Sequence, residues 1–207
     1  MTIVIVLVSV LISMTLHEAM HAFASHSLGD DTAKEEGRLT FNPIAHIDPV
    51  TTVAVPVFLA IIGAPIFGAA KPVPFNPERL RGGDFGAAAV ALAGPLTNFI
   101  LALAAGLVLQ FSGITPNDLF GQILLTFTVV NVGFFVFNMI PFPPLDGSRF
   151  LYAVAPEPVR VIMRSIESLG FTAIIIFMAI FYLLLQQPFA FVVSHVIEFV
   201  TGLSLLG

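Results

Sequence analysis

Residues 17–21 read His17-Glu18-Ala19-Met20-His21, two histidines and a glutamate at a spacing that metal chemistry uses. On an α-helix of 3.6 residues per turn, His17 and His21 stand about 40° apart around the axis, so both imidazoles can meet one ion. Glu18 lies near the same face and can take a proton from a water that the ion acidifies. Zinc suits this set, because three protein ligands and one open position are its usual catalytic arrangement. The flanking stretch, TIVIVLVSVLISMTL before and AFASHS after, is otherwise apolar or small. Ionisable groups inside a membrane span are costly, and three at ligand spacing point to function rather than to ordinary contacts between helices.

Two histidines do not complete a site. The candidates for a third ligand are Asp146 in PPLDGSR, Asp48 in HIDP, His46, and the carboxylates near residues 30–36. His46 and Asp48 are expected to fix their own loop or to support a ligand from behind more than to bind directly. Asn98 in GPLTN and Asn138 in FNMIP are a further pair. An amide inside a span can donate to a developing oxyanion or pin an extended substrate. It can equally serve as a hydrogen bond between helices, and residue chemistry leaves both uses open. His26 and His195 are isolated near span ends and are assigned no role.

The elements that must position these residues are read from composition. Of 207 residues, 57% are hydrophobic and 10% are charged, against about a quarter charged in a soluble domain. The chain therefore reads as an integral membrane protein. Thirteen acidic residues against eight basic ones leave no patch to neutralise phosphates, which argues against nucleic acid as a partner. With no cysteine, disulfides, thiolate nucleophiles and cysteine-bound zinc are excluded. The first apolar stretch has no preceding basic residue and no small-residue cleavage site, so it is expected to be retained as a span.

About 20 apolar residues cross a bilayer. Residues 3–28, 86–111 and 118–140 qualify, and 166–185 and 189–206 are expected as a final pair separated by Gln186-Gln187-Pro188. The fold class is thus an all-α polytopic membrane protein, one domain over 1–207 with a core at 3–150 and a C-terminal helix pair at 160–207. Residues 32–49 mix charge, turn residues and alternating stretches such as RLTF, and predict a strand or hairpin against the bundle. Residues 50–70 are apolar but broken by Pro56, Gly63 and Pro65, too short to span comfortably. If this segment enters and returns on one side, all eight basic residues share that side, as the positive-inside rule prefers. That predicts five full spans, with residue 1 outside and residue 207 inside. It also brings Asp146 to the side where His21 lies, whereas a full crossing would place them apart. Irregular backbone such as that around Asp146 survives at membrane depth only inside protein or beside a watery cavity.

In order along the chain, HEAMH, NPIAHIDP, KPVPFNP, AGPLTN and NMIPFPPLDG resemble the site-2 protease family of intramembrane zinc metalloproteases, over residues 10 to 150. The resemblance implies cleavage of a peptide bond within or beside a transmembrane helix of a single-span membrane protein. It implies one zinc ion held by His17, His21 and Asp146, with Glu18 as general base. It implies a site opening toward the cytosol, and the size suggests a prokaryotic plasma membrane. No inserted PDZ or appended CBS domain is seen. A substrate helix must unwind to expose its backbone, and residues 38–42 are expected to supply an edge strand for it. The competing readings are a small zinc or ion transporter and a non-catalytic binder of membrane proteins. Transporters tend to show internal repeats, and this chain shows none.

Overall fold

The computed structural model describes residues 2–61, 68 and 70–203, and every structural statement below concerns those residues. A long helix α1 (Thr2–Ser27) is followed by a short one, α2 (Thr32–Glu35), a 3-10 turn at Pro43–His46, a widened turn at Pro49–Ala54 and α3 (Val55–Ile61). Then come α4 (Gly83–Phe111), α5 (Leu119–Asn138), α6 (Asp146–Val154) and α7 (Glu157–Ser168). A last helical run joins α8 (Phe171–Ile180), a widened turn Phe181–Leu185 and α9 (Gln186–Thr201). Four helices are long and apolar enough to cross a membrane: Thr2–Ser27, Gly83–Phe111, Leu119–Asn138 and Thr172–Thr201. The chain is an all-α polytopic membrane protein.

α1 is built inside out by the standards of a soluble helix. Its buried residues include Ser9, Ser13, His17, His21 and Ser25, a stripe at every fourth position, while Ile3, Val4, Leu7 and Ile12 are exposed. Lipid removes the hydrophobic drive between helices, so small and polar residues that permit close approach collect at the contacts. α4 answers with Gly86, Ala87, Ala91, Gly94, Asn98, Ala102 and Gly106 on its buried face. α1, α4 and α5 pack together as the centre of the bundle, and α6 tucks against α4.

Five expectations are corrected or only partly met. Residues 32–49 form no hairpin, and no strand occurs among the described residues. Local side-chain caps decide that stretch: Asp30 accepts from the Thr32 N–H, Asn42 from the Ile44 N–H, and Asp48 from the Val50 and Thr51 N–H groups. Pro43 and Pro49 then open helical turns, where a fixed φ is already suitable. The predicted edge at 38–42 is bent, with the Thr40 N–H donating to Arg38 O.

The final pair of spans is one span. Gln186-Gln187-Pro188 does not break the run, because the widened turn at Phe181–Leu185 lies just before Pro188 and absorbs its missing N–H. Among the described residues, four helices rather than five are long and apolar enough to span. Helix directions follow from contacts: Leu28 O accepts from the Arg81 N–H, and Asn98 reaches Ser13, so α1 runs antiparallel to α4. Gly106 abuts Val200 and Gly202 abuts Gln110, so α9 runs parallel to α4. Thr2 and Thr201 thus lie at the same end of the bundle, not at opposite ends. Of the segment expected to re-enter at 50–70, residues up to 61 are helical, while 62–67 and 69 lie outside the described residues.

Candidate active site

The chemistry collects where α1, α4 and the start of α6 meet. His17 and His21, one turn apart on α1, point their Nε2 atoms at each other across 3.0 Å. Asp146, the first residue of α6, brings Oδ2 to 3.1 Å from His17 Nε2 and 3.5 Å from His21 Nε2. It arrives there through the turn after α5, in which the Leu145 N–H donates to Phe142 O and the Ser148 N–H to Leu145 O. Gly147 allows the approach, since a Cβ there would collide with Met139 O.

The outer nitrogens of both rings are committed. The His21 Nδ1–H donates to the backbone carbonyl of Val90 at 2.8 Å, and His17 Nδ1 meets Asn98 Oδ1 at 2.6 Å. With the ring protons at Nδ1, both Nε2 atoms present bare lone pairs. Two imidazole nitrogens and one carboxylate oxygen then face one point, an arrangement that a shared proton or a metal cation satisfies. Its donors fit a divalent ion such as zinc, whose usual ligands are imidazole and carboxylate. Gly94 supplies the room: a Cβ on α4 there would stand 2.6 Å from His17 Nε2 and closer still to His21 Nε2. His17, His21 and Asp146 are the group of side chains placed to hold a metal among the described residues.

Glu18 lies on the flank of this cluster, partly buried. Its Oε2 accepts from the backbone N–H of Val73 at 3.0 Å, in the extended stretch that leads toward α4. That stretch is tied down on either side, by the Lys71 N–H to His46 O at 2.9 Å and the Asn76 N–H to Asp30 Oδ2 at 2.7 Å. Pro72 and Pro74 flank Val73 and hold it extended.

The other sequence candidates divide. Asn98 is fully buried, and its amide is engaged inside the protein, by His17, by Ser13 O and by Asn131, which leaves no donor for a substrate. Asn138 donates to Phe134 O in its own helix. His46 is fully buried with Nε2 on Thr40 O, and it anchors the Val73 stretch through its own carbonyl. Asp48 caps the Pro49 turn, where the N–H groups of Thr51 and Val50 hold its carboxyl below the usual range. Sequence reasoning missed Asn131, the Val73 N–H and the role of Gly94. The signal for Asn131 was available: an amide within an apolar span, seven residues before Asn138.

A helix carrying two histidines and a glutamate in this register, completed by a distant carboxylate, is the arrangement of a zinc-dependent peptidase. The chain belongs to the site-2 protease family of zinc metalloproteases. It is 36% identical over 184 residues to "Putative zinc metalloprotease YwhC" of Bacillus subtilis, covering 84% of this chain and 78% of that protein. It is 33% identical over 165 residues to "Putative zinc metalloprotease Rip2" of Mycobacterium tuberculosis, covering 77% of this chain and 61% of the relative. A shorter match, 37% over 65 residues, links 31% of the chain to 19% of "Zinc metalloprotease MJ0392" of Methanocaldococcus jannaschii. No protein-family model and no solved structure matches the chain.

Proposed function

We propose that this protein is an intramembrane zinc endopeptidase that hydrolyses a peptide bond in or near the transmembrane helix of single-span membrane proteins. The observation that carries the reading is the depth of the metal-ligand cluster. Gly94, against which both histidines lie, is eleven residues into α4, roughly 16 Å from its Gly83 end at 1.5 Å per residue. That is about half the thickness of a bilayer core.

His17, His21 and Asp146 hold one zinc ion per chain. When bound, zinc polarises the scissile carbonyl and acidifies water. The Val73 N–H fixes Oε2 of Glu18 and leaves Oε1 to take the proton from the attacking water. Glu18 then passes that proton to the leaving amine. Asn138, at the end of α5, remains the candidate to meet the substrate backbone or oxyanion; Asn98 serves His17 instead. Because the site lies within the bilayer depth, a substrate helix must unwind to reach it, and helix-breaking residues in the substrate should favour cleavage.

All eight basic residues lie in the connections at the Ser27 and Gly83 end of the bundle, where Arg160 pairs with Asp84 at 2.8 Å. The positive-inside rule makes this the cytosolic end. Asp146 enters from the same end, so the site opens toward the cytosol of a prokaryotic plasma membrane. Thr2 at the start of α1 and Thr201 at the end of α9 then face outward together.

The test co-expresses a single-span substrate with the wild type and with Glu18→Gln. Cleavage should vanish in the variant while zinc content stays unchanged. Equal cleavage by both, or zinc-dependent ion flux without cleavage, would overturn the reading.

A further inference from the structure

We infer that Asn131 is a positioning residue of the metal centre: acting through Asn98, it holds His17 in the Nδ1–H tautomer with Nε2 bare toward the ion. Asn131 sits on α5, is fully buried and touches neither histidine nor Asp146 through any hydrogen bond. Its influence comes from the direction of the bonds. Phe127 O is a backbone carbonyl and can only accept, so Asn131 turns Nδ2 toward it at 2.8 Å. The Oδ1 of Asn131 must then face Asn98, and it accepts from Asn98 Nδ2 at 2.9 Å.

Asn98 Nδ2 also lies 3.3 Å from Ser13 O, a second group that can only accept. With both acceptors on its nitrogen side, Asn98 points Oδ1 at His17 Nδ1. An oxygen there requires the ring proton at Nδ1. The sequence of bonds runs from a backbone carbonyl of α5 to the lone pair that meets the metal, and each link fixes the next.

The two histidines differ in a way that makes this necessary. His21 Nδ1 faces Val90 O, which cannot reverse its role. His17 faces a primary amide, which can turn over and offer NH2 instead. Without Asn131, Asn98 keeps only the longer bond to Ser13 O, and its flip would move the His17 proton to Nε2, where it blocks ligation. Partners of this kind typically control metal affinity by about 10–100-fold.

This inference rests on His17, His21 and Asp146 being the zinc ligands. Zinc affinity of the purified full-length protein in detergent would be measured by competition with a chromophoric chelator, together with the visible spectrum of bound Co2+. Asn131→Leu should weaken zinc by about 10–100-fold and alter the Co2+ spectrum. Asn131→Asp, kept protonated by its burial so that it donates to Phe127 O and still accepts from Asn98, should stay near wild type. Thr128→Val is the control, since Thr128 is equally buried on α5 but bonds only Leu124 O of its own helix. It should leave the affinity unchanged.

Wild-type affinity in Asn131→Leu would overturn the inference, as would a loss in Thr128→Val equal to that in Asn131→Leu. Should Asn131→Leu not fold, Asn131→Ser, too short to reach Asn98, carries the same expectation. Undiminished zinc binding in a His17→Ala/His21→Ala double variant would sink the ligand assignment itself. Undiminished binding in Asn131→Leu alone sinks only the Asn131 role.

Discussion

The centre of the bundle and its last helix are both apolar enough to span a membrane, yet they are packed by different rules. In α4 the most apolar window is 39% buried, and in the Thr172–Thr201 run it is 6% buried. The centre is held by directed contacts: buried Ser, Asn and His side chains, with glycines where they approach. The last helix is held by apolar contacts, with Phe137 and Phe142 meeting Phe177, Phe181 and Phe189, and Ile197 and Val200 packing on Ala102 and Val132. Directed polar contacts specify one geometry, whereas apolar contacts tolerate small shifts. The site is built on the first kind.

The sharpest way to test that division is to add one methyl group in each region. Gly94→Ala puts carbon where the metal-facing nitrogens lie, and it should cost zinc affinity at least the ~100-fold of losing a ligand's partner. Equilibrium dialysis with metal analysis reads this. Gly106→Ala puts its Cβ 2.5 Å from Val200 O, also a clash. Zinc should nevertheless stay bound, because α9 supplies no ligand.

Between these extremes lies Val73→Pro, which removes one N–H while keeping the extended backbone. A hydrogen bond to a charged group contributes about 1.5–3 kcal/mol, so turnover should fall roughly ten-fold or more with zinc retained. A steady-state assay beside metal analysis distinguishes this from lost metal. Gly106→Ala comes next, with a cost of about 1–3 kcal/mol from overpacking; thermal unfolding in detergent should show a lower midpoint at full zinc occupancy. The smallest effect is expected for Phe142→Leu, which removes a stacked pair with Phe177 worth about 1 kcal/mol. If Phe142→Leu or Gly106→Ala released zinc, the two regions would not be independent.

The same division explains what was legible in the sequence. His17, Glu18 and His21 were readable because helical geometry alone fixes their relation. Asp146 was one of several candidates; the re-entrant arrangement put it on the histidines' side, and the family resemblance singled it out. The hairpin at 32–49 was misread, since the alternation in RLTF is short and the caps from Asp30, Asn42 and Asp48 act over two or three residues. Gln186-Gln187-Pro188 looked like a break because a proline was weighed without the widened turn that accommodates it. That error also sent Thr201 to the wrong end of the bundle. Asn98 was singled out for the right reason, a polar group in a span, but its partner was invisible: which atom an amide faces depends on Asn131, 33 residues away.

The most direct test of the central claim is X-ray absorption at the zinc edge on the purified wild-type protein. Two imidazole nitrogens and carboxylate oxygen should surround the ion at about 2.0–2.2 Å, with the oxygen contribution reduced in Asp146→Ala. A zinc signal with fewer than two imidazoles, or one unchanged by His17→Ala, would contradict the account.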